Sequence, residues 1–144
     1  MNNCIIIIKS GDLEVRRDTT DATGVYSVSG LANGTYSIEV LTTKVHGGIN
    51  TFDITPIKQK LANIIELSPL KFKAADLNKS NSINTFDITP IKQKLANQVA
   101  PGWVASNYVF YPVSVTIASG NSTLDIQSLC SGDVNGSFVP SSGN

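Results

Sequence analysis

Two periodicities divide this chain. Along residues 18–40 apolar and polar residues alternate between Gly and Asn turns, with Tyr26 and Val28 set against Ser27 and Ser29, and Tyr36 and Ile38 set against Ser37 and Glu39. A period of two puts each set on opposite faces of an extended backbone, so both segments are predicted as half-buried antiparallel strands. Residues 108–117 and 122–129 read the same way, with Gly120-Asn121 as a hairpin turn between them. The unbroken apolar run at residues 4–8, followed by Lys9, is predicted as a fully buried strand. It falls short of the roughly 20 residues that span a bilayer, and it lacks the basic flank of a signal peptide.

The middle of the chain changes period. Residues 49–63 and 83–97 carry identical letters, INTFDITPIKQKLAN, which makes two copies of one supersecondary unit. In each copy the apolar positions follow helical spacing: Ile54, Ile57 and Leu61, then Ile88, Ile91 and Leu95. Asn50 and Asn84 stand where a helix is capped, and Asp53 and Asp87 follow three residues on, close to a capping box. Lys58, Gln59 and Lys60, with their copies Lys92, Gln93 and Lys94, form the solvent face. Pro56 and Pro90 remove one backbone donor early in each helix. Strands, then helices, then strands again predict an α+β chain: a small antiparallel β-sandwich formed by residues 1–42 and 104–144, with a helical insert at residues 43–103.

The approach to the second copy carries candidate chemistry. Calcium takes six to eight oxygen ligands, supplied by alternate residues of a tight loop and closed by a carboxylate from the next helix. Asp76, Asn78 and Ser80 occupy the first, third and fifth places of such a loop. Ser82 would offer its carbonyl at the seventh, Asn84 or a water would fill the ninth, and Asp87 closes at the twelfth. Ile83 would anchor the loop to the core. The string DLNKSNSINTFD followed by a helix resembles the calcium-binding repeat of type I dockerins. That resemblance implies loop-plus-helix units in a pair, calcium as the bound ion, and helix faces that grip a cohesin-type protein domain. Two departures weaken the expected site: Ser80 stands where the family has Asp, and Asn81 stands where it has Gly. Two carboxylates alone predict a dissociation constant of about 10⁻⁴ to 10⁻³ M. The competing reading is a polar turn that caps a helix without metal.

The first copy lacks an opening half. Thr42, Lys44 and His46 fill the matching places and are poor calcium ligands, whereas Gly48, Asn50 and Asp53 keep the closing half. An orphan opening half stands at residues 132–137, where Asp133, Asn135 and Ser137 take the first, third and fifth places with no closing carboxylate after them. The two halves are expected to meet in a split calcium site built from Asp133, Asn135, Ser137, the Gly48 carbonyl, Asn50 and Asp53. The plainer alternative for Asp133-Val134-Asn135-Gly136 is an ordinary turn.

Composition adds limits. Acidic and basic residues balance at 11 each, which gives no net-charge reason to expect nucleic acid or an anionic membrane as partner. A low charged fraction rich in Ser, Thr, Asn and Gly suits an extracellular or cell-surface protein, expected here as part of a larger exported one. Cys4 and Cys130 read either as a disulfide between first and last strands or as two small buried hydrophobes. His46 is the only histidine, so no Ser-His-Asp or Cys-His machinery can be assembled, and an enzyme is not expected. Trp103 reads as a core plug rather than a sugar platform. The stretch at residues 20–40 resembles the transthyretin-like, carboxypeptidase-regulatory-type β-sandwich of bacterial surface proteins, which implies a structural or adhesive role. Dockerin specificity lies largely in the two residues before the closing Asp, here Thr51 and Phe52 in one copy and Thr85 and Phe86 in the other. A calcium-dependent partner-binding module and a calcium-stabilised spacer are therefore the two functions to separate.

Overall fold

The apolar run becomes β1 (Ile5–Ser10) in the computed structural model, which describes residues 1–140. Two neighbours pair with it antiparallel, β2 (Leu13–Thr19) and β3 (Gly34–Leu41). A fourth strand, β5 (Ser114–Ile117), pairs antiparallel with β3, giving the order β2-β1-β3-β5. The sequence reading missed β2. Its signal was the Gly11-Asp12 pair, which closes a two-residue hairpin with Gly11 at φ +60°. Arg16, Arg17 and Glu14 on this edge strand guard it against further pairing.

This sheet belongs to one of two compact units, formed by residues 1–45 and 112–126. Its core is Ile6, Ile8, Tyr36 and Ile38, and Tyr26, Val28, Leu31, Leu124 and Ile126 pack against them. Tyr26 and Val28 do turn inward while Ser27 and Ser29 face solvent, as the alternation required. They do not form a regular strand, because side chains of β2 take the backbone groups a ladder would use. Asp18 Oδ2 accepts from Ser27 N–H at 2.6 Å, and Arg16 Nε donates to the Ser29 carbonyl at 3.2 Å. The layer facing the sheet is consequently irregular, and it is pinned across the core by Tyr26 Oη donating to the Leu124 carbonyl at 3.0 Å.

The second unit comprises residues 46–111 and 127–139. It holds the helices α1 (Ile54–Leu61), α2 (Pro69–Ala75) and α3 (Thr85–Leu95), together with the two-stranded sheet β4 (Tyr108–Tyr111) and β6 (Gln127–Cys130). Two expectations are corrected here. The segment 108–117 is not one strand, since Pro112 cannot donate to a ladder and separates β4 from β5. Gly120-Asn121 does not close a hairpin either: β5 pairs with β3, and β6 pairs with β4. As a result β4 and β6 group with the helices rather than with the first sheet. Helix α2 was also missed, although Ser68-Pro69 is a common helix opening; Ser68 Oγ accepts from Lys71 N–H and Pro69 takes the first turn.

Ile54 and Ile57 from α1 and Ile88 and Ile91 from α3 form one core with Ala75, Leu77 and Val134. Cys4 lies in the first unit and Cys130 in the second, each buried and each a free thiol. Among the described residues no helix is long and apolar enough to cross a membrane.

Candidate metal centre

Each copy of the repeat begins with the same device. Asn50 Oδ1 accepts from Phe52 N–H at 2.8 Å while Asp53 Oδ2 accepts from Asn50 N–H at 2.7 Å. Asn84 and Asp87 repeat this capping box at 2.8 and 2.9 Å. The closing carboxylates are thus fixed by the helix ends that carry them.

In the continuous loop, α2 ends at Asp76, whose carboxylate turns back over its own chain. Asp76 Oδ1 accepts from Ser80 N–H and Oδ2 from Asn81 N–H, both at 2.9 Å. Asn78 Oδ1 also accepts from Ser80 N–H, at 3.0 Å. Asp87 Oδ1 reaches across the loop to accept from Leu77 N–H at 3.0 Å. Ser80 Oγ donates to the Ser82 carbonyl at 3.0 Å. The Asn81 departure is accommodated because it sits at φ +58°, a left-handed conformation that Asn tolerates better than other non-glycine residues.

The terminal half-loop reproduces this pattern against the first copy. Asp133 Oδ1 accepts from Ser137 N–H and Oδ2 from Phe138 N–H, both at 3.0 Å, and Asn135 Oδ1 accepts from Ser137 N–H at 2.8 Å. Asp53 Oδ1 crosses to accept from Asn135 N–H at 3.0 Å. Ser137 Oγ lies 3.4 Å from the Gly48 carbonyl, matching the Ser80–Ser82 contact. Asn50 joins the halves again, its Nδ2 donating to the Gly48 carbonyl at 2.8 Å and standing 3.3 Å from Ser137 Oγ. The orphan opening and closing halves therefore meet. All six residues of the split set are drawn together, as are Asp76, Asn78, Ser80, Ser82, Asn84 and Asp87 in the loop set.

Glycine makes the meeting possible. A Cβ on Gly48 would lie 2.5 Å from Phe138 Cβ and 2.7 Å from the Asp133 carboxylate, so only a bare backbone fits beneath the half-loop. Gly132, at φ +87°, brings the chain in against the Trp103 ring and donates its N–H to the Ala74 carbonyl at 2.8 Å. Trp103 is accordingly a packing residue, with the His46 ring edge-on to it at 5.8 Å and the Lys94 ammonium 5.5 Å above it. His46 is half-buried, its Nε2 2.8 Å from the Ser131 carbonyl, rather than a solvated loop residue. The residues that sequence reasoning overlooked are Leu77 and Val134, which follow the two opening aspartates and meet in the core with no exposed surface. Their signal was an apolar residue in the second place of both half-loops.

The electrostatics are those of two acidic pairs in a dry setting. Asp53, Asp87 and Asp133 are fully buried and Asp76 is 8% exposed. The ion pairs among the described residues join Lys9 to Glu39, Arg17 to Glu14 and Lys60 to Glu66, none of them at either loop. Burial raises the Asp53 and Asp87 carboxyls above the usual aspartate range, against the pull of the backbone N–H bonds, and the facing Asp133 and Asp76 raise them further. Neither loop gathers three His, Cys, Asp or Glu side chains among the described residues. A bound ion would draw its remaining ligands from amide, hydroxyl and carbonyl oxygens, a donor set that suits a hard cation and not a transition metal. Each carboxylate also keeps acceptor capacity, having about four lone-pair sites and fewer bonds made. The residues present fit calcium.

Between the Asn and the Asp of each capping box, Thr51, Phe52, Thr85 and Phe86 face solvent, both phenylalanines 73% exposed. Beside Phe86 a shallow depression of about 320 Å³ is lined by Asn78, Thr89, Pro90, Gln93 and Gly102. No family model, curated protein or solved structure matches the chain.

Proposed function

We propose that this chain is a non-catalytic, calcium-binding, dockerin-like module that carries one ion in the loop at residues 76–87 and one in the split site joining Asp133, Asn135 and Ser137 to Gly48, Asn50 and Asp53. The observation that carries the reading is a pair of buried aspartates at each loop, none of which forms an ion pair among the described residues. Removing such charge from water costs several kcal/mol per ion unless a counter-charge is bound, and the surrounding oxygens supply what calcium needs. The calcium neutralises the pair and holds the helix end in place. The two identical helix starts then present Thr51-Phe52 and Thr85-Phe86 to a cohesin-type protein domain in an extracellular assembly. Two solvent-facing phenyl groups at equivalent positions support that use, because neither is spent on packing the helices together.

Calorimetric titration of the metal-free chain tests the metal. The parent is expected to bind two ions, and Asp87→Ala and Asp133→Ala one each, with dissociation constants of about 10⁻⁴ to 10⁻³ M. A parent that takes up no calcium sinks the reading. A second reading, a calcium-stabilised spacer in a bacterial β-sandwich protein, is favoured by the way the split site ties residues 133–138 to the start of α1. Binding to a panel of cohesin-type domains separates the two: capture in calcium that is lost in a Phe52→Ser/Phe86→Ser double variant supports docking, and no capture by any domain supports the spacer.

A further inference from the structure

The two copies of the repeat have the same letters but their loops close differently. Around the second copy every ligand comes from one short run of chain, 76–87. Around the first, the opening half arrives from the far end of the sequence and must be held there. Residues 131–134 are held independently of any ion: Ser131 N–H donates to the Asn107 carbonyl at 2.9 Å, Gly132 N–H to the Ala74 carbonyl at 2.8 Å, and Val134 is fully buried in the helical core. Beyond Val134 the attachments change character. Asn135, Ser137 and Phe138 are tied down through Asp53, Asp133, Asn50 and the Gly48 carbonyl, which are the members of the split site itself. Phe138 lies over Gly47 and Gly48, which leave no room for side chains beneath it.

On the calcium reading given above, we infer that residues 135–138 form a clasp over the first copy that closes with its ion and opens without it, whereas the loop of the second copy stays closed by its own chain. Without an ion, two buried carboxylates face one another under the clasp. A few backbone N–H bonds, the Asn135 and Ser137 side-chain contacts and the packing of Phe138 over Gly47 and Gly48 oppose their repulsion and the recovery of chain entropy. The continuous loop has the same carboxylates but is fixed at both ends by α2 and α3. Two identical helix starts thereby become unequal in their response to calcium. Opening the clasp strips Asn50 of its contacts to Ser137 and Asn135, next to the exposed Phe52, and leaves the surroundings of Phe86 unchanged.

Amide hydrogen exchange on the full chain, in chelator and in saturating calcium, tests this. The amides of Asn135, Ser137 and Phe138 are expected to exchange at least about tenfold more slowly with calcium. That gain should vanish in Asp133→Asn, which keeps the side chain's shape but not its charge, while Ser80 and Asn81 stay protected with or without calcium. Gly48→Ala provides a variant that alters no charge: its Cβ has no space under Phe138, so the clasp should stay open and calorimetry should count one ion. Equal protection of residues 135–138 with and without calcium overturns the clasp, provided the parent binds two ions. Loss of protection in both loops of Asp133→Asn also overturns it, because the unit would then open as a whole. A parent that binds no calcium defeats the calcium reading itself, and that failure is visible in the titration alone.

Discussion

Asp53 and Asp87 each do two jobs at one position. One carboxylate oxygen caps its own helix and the other crosses to hold the loop that opens the site. Both jobs favour the ionised form, yet burial raises both carboxyls above the ordinary aspartate range. A group whose folded value lies above its unfolded value contributes stability that is complete below the unfolded value and is lost as pH rises through the folded one. In chelator, therefore, the contribution of these two groups is largest in acid and falls as pH rises across the carboxylate range. Denaturant unfolding at a series of pH values should show the effect, and Asp53→Asn/Asp87→Asn should flatten it. A metal-free parent whose stability rises steadily over that range would contradict the assignment. The letters of both loops were legible as a set because polar residues recur there at alternate positions, and the structure draws those residues together. The glycines beneath them were only half legible: Gly48 was expected as a carbonyl donor, whereas its greater role is to let Phe138 and Asp133 approach.

At the scale of elements, the strongest periodicities survived and the weakest misled. The repeat gave α1 and α3, and the alternation at Tyr36 and Ile38 gave β3. The alternation at Tyr26 and Val28 correctly named the buried side but not a strand, since alternation reports burial and Asp18 and Arg16 had taken the hydrogen bonds. Helix α2 and strand β2 escaped because each is short and only weakly amphipathic, leaving their end signals as the only cue. Pro112 could have divided the segment around it on its missing donor alone. The helical core depends on a grouping no single segment reveals: Leu77 and Val134 share one cluster with the isoleucines of α1 and α3. Leu77→Ala is expected to cost about 2–5 kcal/mol of stability in calcium, the range for fully buried leucines. A loss under about 1 kcal/mol in denaturant titration would mean that the two loops are not cross-braced through this core.

At the scale of the whole chain, a formal net charge of zero conceals a sorting of charge by depth. In the helical unit four of the acidic residues, Asp53, Asp76, Asp87 and Asp133, are buried, while Lys58, Lys79, Lys92 and Lys94 are exposed. Seen from outside, that unit shows ammonium groups and hides its aspartates, with Glu66 as an exposed carboxylate paired to Lys60. Neutrality summed over the sequence therefore misjudges what a neighbouring molecule would meet within a Debye length of about 8 Å.

The buried aspartates also give the protein an electrophoretic signature. On the proposed calcium reading, two divalent ions would add four positive charges to a chain that starts near zero, and would do so in the interior, neutralising acid without covering a single lysine. In a native gel at neutral pH the loaded protein should run as a cation and the chelated protein should barely migrate. Ions held at about 10⁻⁴ to 10⁻³ M exchange many times during a run, so one band would shift as calcium in the gel is raised, and its mobility would report mean occupancy with no partner, label or enzyme activity required.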